Sequence, residues 1–427
     1  MHDQTIRHAF SIAVAASLLL LGCGRTGLGP FTDEEVADGG LDAGELPEEP
    51  DDSVGFVDDE PIDPAPPQDP TCGNGIIDPG ELCLLPQIVF WSRIDPCAID
   101  IGDIDGDGHL DVVTPNSDFE HAESPNNYTS VLYGNGQGVL SEPVAYESGD
   151  DIPVGVRVGD IDNNGWLDFI VANSDTGTLS VMLNGGGREV FDGGRMSGGE
   201  VPIISDLGDI NGDGILDVAV SATDEVRVSL GRGDGRFDPP VSYPLSGQQW
   251  EVRLVDITHD EALDMVVSRV SEAAVVLFRG DGEGRFEQMG RLDMPSSTYG
   301  IADADIDQDG SIDLLFAHAV GVSVMRGDGF GGFTEVSQIS AGEGPRDTAI
   351  ADYDQDGRLD AAVLASGSND VTLSVGRGTG SFERRGVYVV GEQPSGIAAG
   401  DFNEDGVPDL AIANQLSNNI GLILSNP

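Results

Sequence analysis

Carboxylates set two residues apart beside a glycine are the residues of this chain best placed to do chemistry. The string D-x-[DN]-x-[DN]-G-x-x-D begins at Asp103 (DIDGDGHLD), Asp160 (DIDNNGWLD), Asp209 (DINGDGILD), Asp305 (DIDQDGSID), Asp352 (DYDQDGRLD) and Asp401 (DFNEDGVPD). Side-chain oxygens at positions 1, 3, 5 and 9, with a backbone carbonyl at 7, can wrap one hard cation. Calcium accepts about six to eight such oxygens in a forgiving geometry. Glycine at position 6 permits the sharp turn with positive φ.

The first loop then offers Asp103, Asp105, Asp107, the His109 carbonyl and Asp111, and the second Asp160, Asp162, Asn164, the Trp166 carbonyl and Asp168. The third supplies Asp209, Asn211, Asp213, Ile215 and Asp217; the fifth, Asp305, Asp307, Asp309, Ser311 and Asp313. Asp352, Asp354, Asp356, Arg358 and Asp360 make up the sixth, and Asp401, Asn403, Asp405, Val407 and Asp409 the seventh. In a polar turn without metal, so many carboxylates would repel one another. About six structural calcium sites are therefore expected. With dissociation constants of roughly 10⁻⁴–10⁻³ M, millimolar calcium would add about 0.4–1.4 kcal/mol per site. A degenerate copy at Asp256 (DITHDEALD) has Thr258 at position 3 and Glu261 in place of glycine. Glutamate resists positive φ, so this loop is expected to be empty or weakly occupied.

The elements around the loops repeat with them. Counting the degenerate copy, seven starts fall 47 to 57 residues apart. Each unit has a short apolar run before its loop, a second directly after it (LDFIVAN, LDVAVSA, IDLLFAH), a third, and a G-x-G-x-F turn leading to a more polar fourth. Runs of four to seven β-branched and apolar residues bounded by glycine are strands. Four strands per unit and seven units predict an all-β fold, a seven-bladed β-propeller with four-stranded blades. The last unit ends at its third strand, LILSNP. PQIVFWSR, at residues 86–93, resembles the missing fourth and is expected to pair with residues 421–425, closing the ring.

These loops resemble EF-hand loops through their first six positions, but they close three residues earlier and between strands. With the unit length, they are similar to FG-GAP or VCBS repeats, the units of the integrin α-subunit propeller and of many bacterial surface proteins. That resemblance spans residues 86–427. It implies calcium in the loops and an adhesive or scaffolding role.

Ahead of the repeats, residues 1–22 read as an export signal. Its apolar run, AFSIAVAASLLLL, is too short to span a bilayer of about 30 Å comfortably. Leu20-Leu21-Gly22-Cys23 resembles a bacterial lipobox, which implies lipidation of Cys23 and an outer-membrane or cell-surface location. Residues 23–71 form an acidic, proline-rich tether: between Phe31 and Pro70 stand fifteen Asp or Glu and no Lys or Arg. Such a segment repels itself and buries little. Residues 72–85, opening with CGNGIIDPGELC at 72–83, are a small cysteine-bracketed module. Among Cys72, Cys83 and Cys97 three pairings are possible; the bent loop favours Cys72–Cys83 in an oxidising compartment.

The formal charge of −56 excludes a nucleic-acid partner. No HExxH, G-x-S-x-G or P-loop motif occurs. Arg-Gly-Asp recurs at Arg232, Arg279 and Arg326, always within the glycine turn, and reads as part of that turn. Trp91, Trp166 and Trp250 share no repeat position, so a lectin with one sugar site per blade is disfavoured. The expected role is that of a non-enzymatic surface module binding an extracellular protein or glycan. A carbohydrate-binding propeller and a channel-site enzyme are the alternatives.

Overall fold

The computed structural model describes residues 84–117, 128–148 and 152–425. The signal, tether, Cys23, Cys72 and Cys83 lie outside the described residues. Among the described residues, no helix is long and apolar enough to cross a membrane.

The apolar runs fold as antiparallel strands throughout. In the second unit Pro153–Gly159 pairs with Asp168–Asn173, which pairs with Thr178–Asn184, which pairs with Val190–Ser197. The second strand is wholly buried and the fourth largely exposed. The chain therefore spends its continuous apolar runs inside and its polar strand at the rim. First strands of neighbouring units pack beside one another around a central channel.

The blade count differs from the expectation of seven. The strands form six sheets, five of four strands and one of six. The third and fourth units share the six-stranded sheet, because Val241–Val255 runs unbroken from one unit into the next. Its first half pairs with Asp217–Ser229 and its second with Asp264–Arg269, with register shifts at 223/225 and 249/252. Pro244 and Gly247 bend this strand without ending it. The fold is thus an all-β propeller of six blades, one carrying two repeat units.

Closure follows the expected route. Ile88–Trp91 pairs with Asn419–Ile423, from Ile88↔Leu422 to Trp91↔Asn419, and Leu84 bridges Ser425. Behind this joint, Ile99, Val112 and Leu132 of the first unit pack against Ala411, Ile420 and Leu422 of the last. Similar apolar clusters fill the space between other successive units, as where Val113 and Val131 meet Phe169 and Val171. Burying each such side chain contributes about 1.5–3 kcal/mol.

Candidate metal loops and the central channel

Each acidic loop joins the first and second strands of its unit. Two left-handed residues shape it. Position 6 has φ of 93, 89, 81, 91, 86 and 87° at Gly108, Gly165, Gly214, Gly310, Gly357 and Gly406. Position 4 is left-handed as well, at Gly106, Asn163, Gly212, His259, Gln308, Gln355 and Glu404. Sequence reasoning missed this second turn; its signal was the glycine or asparagine at three of the seven positions.

The position-1 carboxylate accepts the N–H of position 6, at 2.9 Å from Gly108 to Asp103 and 2.8 Å from Gly406 to Asp401. Position 7 (His109, Trp166, Ile215, Ser311, Arg358, Val407) donates its N–H to the position-5 side chain at 2.8–3.0 Å. The position-9 aspartate does something different: it is buried and ties the loop to distant backbone. Asp111 accepts from Ile104 and Gly134, Asp168 from Ile161 and Asn184, and Asp217 from Ile210 and Gly231. Asp313, Asp360 and Asp409 repeat the pattern with Ile306 and Gly327, Tyr353 and Gly376, Phe402 and Ser425. Burial pushes Asp360 up to about 7 and Asp111, Asp168 and Asp409 up to about 6. It also raises Asp217 and Asp313.

Carboxylates converge in four loops. One oxygen from each of Asp103, Asp105 and Asp111 lies within 4.8 Å of the others, as do those of Asp160, Asp162 and Asp168, and of Asp305, Asp307 and Asp313. In the sixth loop Asp352, Asp354 and Asp356 converge while Asp360 stays outside. In the third and seventh loops, Asn211 and Asn403 donate to Asp213 at 3.1 Å and Asp405 at 2.9 Å. Asp103 Oδ1 and Asp307 Oδ1 are buried and accept no hydrogen bond. Orphaned buried acceptors among converging carboxylates suit a hard divalent cation, so the residues present fit calcium.

The degenerate loop corrects one expectation. Glu261 adopts the turn after all, with φ of 70°. A side chain supplies its positive charge: Arg279 donates to Asp260 Oδ2 at 2.6 and 3.2 Å and holds that carboxyl below its ordinary range. Thr258 donates its hydroxyl to Asp264 at 3.0 Å. Two of the three Arg-Gly-Asp arginines turn towards acidic loops, Arg279 here and Arg326 towards Asp307 at 3.8 Å, while Arg232 pairs with Asp238. Arg188 of the second unit likewise pairs with Asp105 at 2.8 Å and stacks on Tyr133. Cys97 is buried, its Sγ 3.3 Å from the Asp95 carbonyl and 3.7 Å from Gln415 Nε2.

The channel has an order that no local window reveals. Three residues before successive loops stand Asp100, Arg157, Asp206 and Arg253, then Ala302, Ala349 and Ala398. They line a cavity of about 520 Å³ with Glu251, Asp303 and Asp347. Arg157 sits 3.6 Å from Asp206 and 3.5 Å from Glu251, and Arg253 sits 3.1 Å from Asp303. Burial raises Glu251 to about 7. At one end Arg346 lies over the rings of Trp250 and Tyr299.

Solved structures share the architecture at low identity. A candidate 6-phosphogluconolactonase from Bacteroides fragilis superposes with a TM-score of 0.55 at 13% identity, over 70% of this chain and 86% of that one. BBS1N, crystallised in complex with ARL6DN, gives 0.56 at 11% identity, over 81% and 97%. An Agrocybe aegerita lectin that recognises non-reducing terminal N-acetylglucosamine gives 0.50 at 18%, over 79% and 87%. At such identities the likeness speaks for the fold alone. No curated protein matches the chain by sequence. The FG-GAP-like repeat model matches residues 103–171, 209–267, 256–316, 305–363 and 352–412. These matches cover more than half of the chain and begin on the acidic loops themselves, and with them the protein belongs to the FG-GAP-like repeat family.

Proposed function

We propose that this chain is a cell-surface lipoprotein whose propeller, braced by calcium at its acidic loops, binds an extracellular protein or glycan without catalysing a reaction. The carrying observation is the use of its carboxylates. Position 9 is spent on backbone N–H groups in every unit, and positions 1 and 3 converge with orphaned oxygens in the first and fifth loops. The channel acids and arginines pair mainly with one another. An acid–base role needs a group free to exchange its proton with substrate. A scaffold needs the opposite, groups held in place. Folds of this kind carry enzymes, lectins and protein-binding partners alike, so the site and not the fold decides.

The lipid anchor rests on the Cys23 motif and the tether on the acidic stretch behind it. Together they present the ring away from a membrane surface. The test is capture on a glycan array and from cell-envelope material by the full chain, in calcium and in chelator. Saturable capture lost in chelator supports the reading. Hydrolysis of a sugar lactone, the reaction named for one structural neighbour, or capture indifferent to calcium, would contradict it. Mass spectrometry of the mature N-terminus tests the lipid at Cys23.

A further inference from the structure

The fourth residue of each acidic loop faces the next loop, and at nearly every seam it fills the gap. Asn163 Nδ2 reaches the Gly214 carbonyl at 3.5 Å, Gln308 Nε2 the Gly357 carbonyl at 2.7 Å and Gln355 Nε2 the Gly406 carbonyl at 2.5 Å. Glu404 Oε1 meets His109 Nδ1 at 2.5 Å, joining the last loop to the first. Gly106 has no side chain, but the Trp166 indole from the following loop covers it, 2.3 Å from where a Cβ would stand. His259 packs beside Gly329. Gly212 is the exception: among the described residues nothing lies within 4 Å of its Cβ position.

That open seam is a cavity of about 610 Å³ between the third and fourth loops. Asp209 and Gly212 bound one side; Asp260, Glu261, Asp281 and Glu287, with Arg279 and Arg285 among them, bound the other. Arg285 is exposed and forms no ion pair among the described residues, in a chain with only 20 Lys and Arg against 76 Asp and Glu. The wall thus offers fixed donors and fixed acceptors side by side. A purely anionic ligand would face Asp209, Asp260, Glu261, Asp281 and Glu287, and a purely cationic one would meet Arg279 and Arg285. A hydroxyl both donates and accepts, so a neutral polyol satisfies both kinds of partner. The cavity volume falls in the range of small-molecule sites, roughly 300–1,000 Å³.

We propose that the seam at Gly212 binds a neutral saccharide of one or two residues. The proposal rests on the reading of the propeller as a binding module and names one of its ligands. It requires a single site per chain, in keeping with Trp91, Trp166 and Trp250 sharing no repeat position.

The full chain, in millimolar calcium, is titrated with neutral mono- and disaccharides and with glucuronic acid and glucosamine as charged counterparts. Saturable binding of at least one neutral sugar at one site is expected, with the charged counterparts about tenfold weaker or worse. Gly212→Asn installs the residue that Asn163 carries in the same left-handed position, and so bridges the seam. Arg285→Glu removes the exposed donor of the wall. Each is expected to weaken binding about tenfold or more, which is about 1.4 kcal/mol, with the melting temperature in calcium unchanged. If Gly212→Asn misfolds, Arg285→Glu alone decides. The proposal is overturned if no neutral sugar saturates at tens of millimolar, if a charged counterpart binds more tightly, or if binding ignores the substitutions. Envelope capture that persists undiminished in Gly212→Asn leaves the binding-module reading standing while this site falls. Absence of both sugar binding and capture removes both.

Discussion

Replacing Asp360 by alanine separates the backbone tie of an acidic loop from its proposed role as a metal ligand. Its carboxylate is buried and accepts the N–H of Tyr353 at 2.9 Å and of Gly376 at 2.8 Å. Both donors are themselves buried. Alanine leaves them without an acceptor, and an unsatisfied buried donor costs about 1–3 kcal/mol, so the pair costs about 2–6 kcal/mol. Asp352 in the same loop also accepts two N–H groups, from Asp356 at 3.1 Å and Gly357 at 2.9 Å, but it lies near the surface, where water can take its place. Asp352→Ala is therefore expected to cost about 1 kcal/mol or less without metal and distinctly more in calcium. Urea unfolding followed by tryptophan fluorescence, in chelator and in millimolar calcium, measures both. The reasoning is refuted if Asp360→Ala costs under about 1 kcal/mol in chelator. It is refuted equally if the two variants lose stability only when calcium is present, because position 9 would then be a ligand and nothing more.

With calcium in the loops as proposed, protons would compete with it at the same carboxylates. Asp360, near 7, and Asp111, Asp168 and Asp409, near 6, bind protons more tightly folded than unfolded. Their contribution to metal-free stability is whole below about pH 4 and is lost as pH rises through about 6–7. Calcium needs them ionised or unopposed, so its apparent affinity rises across that window; an affinity flat from about pH 5.5 to 8 by calorimetry would contradict this. In the fourth loop, Thr258→Asp with Glu261→Gly and Arg279→Ala restores the metal pattern and removes the substitute cation. One further equivalent of bound calcium per chain is expected by elemental analysis, and unchanged stoichiometry would show that the ligand pattern is insufficient. At the closure, Phe90→Asp puts a charge among the partly buried side chains beside Leu422 and Leu424. A loss of about 2–4 kcal/mol is expected, and a loss under about 0.5 kcal/mol would mean that the N-terminal strand does not hold the ring.

Much of this was legible because its causes are local. Wrapping one ion takes oxygens at fixed offsets, so the loops could be read within nine residues, and the strands could be read from apolar runs between glycines. The joint between Ile88–Trp91 and the last unit was legible from a missing piece, since the final unit lacks a fourth strand. What escaped notice depends on distant partners. Asp111 finds Gly134 across 23 residues, and nothing near it in sequence marks that tie. The alternation of Asp100, Arg157, Asp206 and Arg253 is invisible until units are stacked by phase relative to their loops. The shared sheet of the third and fourth units was missed because proline and glycine read as breakers; in Val241–Val255 they shift the register and the strand continues.

These irregularities are not scattered. The fused sheet, the degenerate loop with its arginine substitute and the unbridged seam at Gly212 all fall between the third and fourth units. In the channel, charge occupies the position before the first four loops and alanine the position before the last three. A repeat protein that needed only a rigid ring would gain from making every unit alike, because each seam would then pack by the same rule. Departures from the repeat have a cost in packing or in lost metal, and local rules are broken most readily where a site requires it. Arg279 shows the cost being met, since it returns the positive charge that the fourth loop gives up. Gly212 shows no such compensation: its Cβ position stays open, with an exposed arginine at the rim of the cavity beside it. A gap that the same fold closes at other seams by one amide side chain persists because something other than the chain fills it.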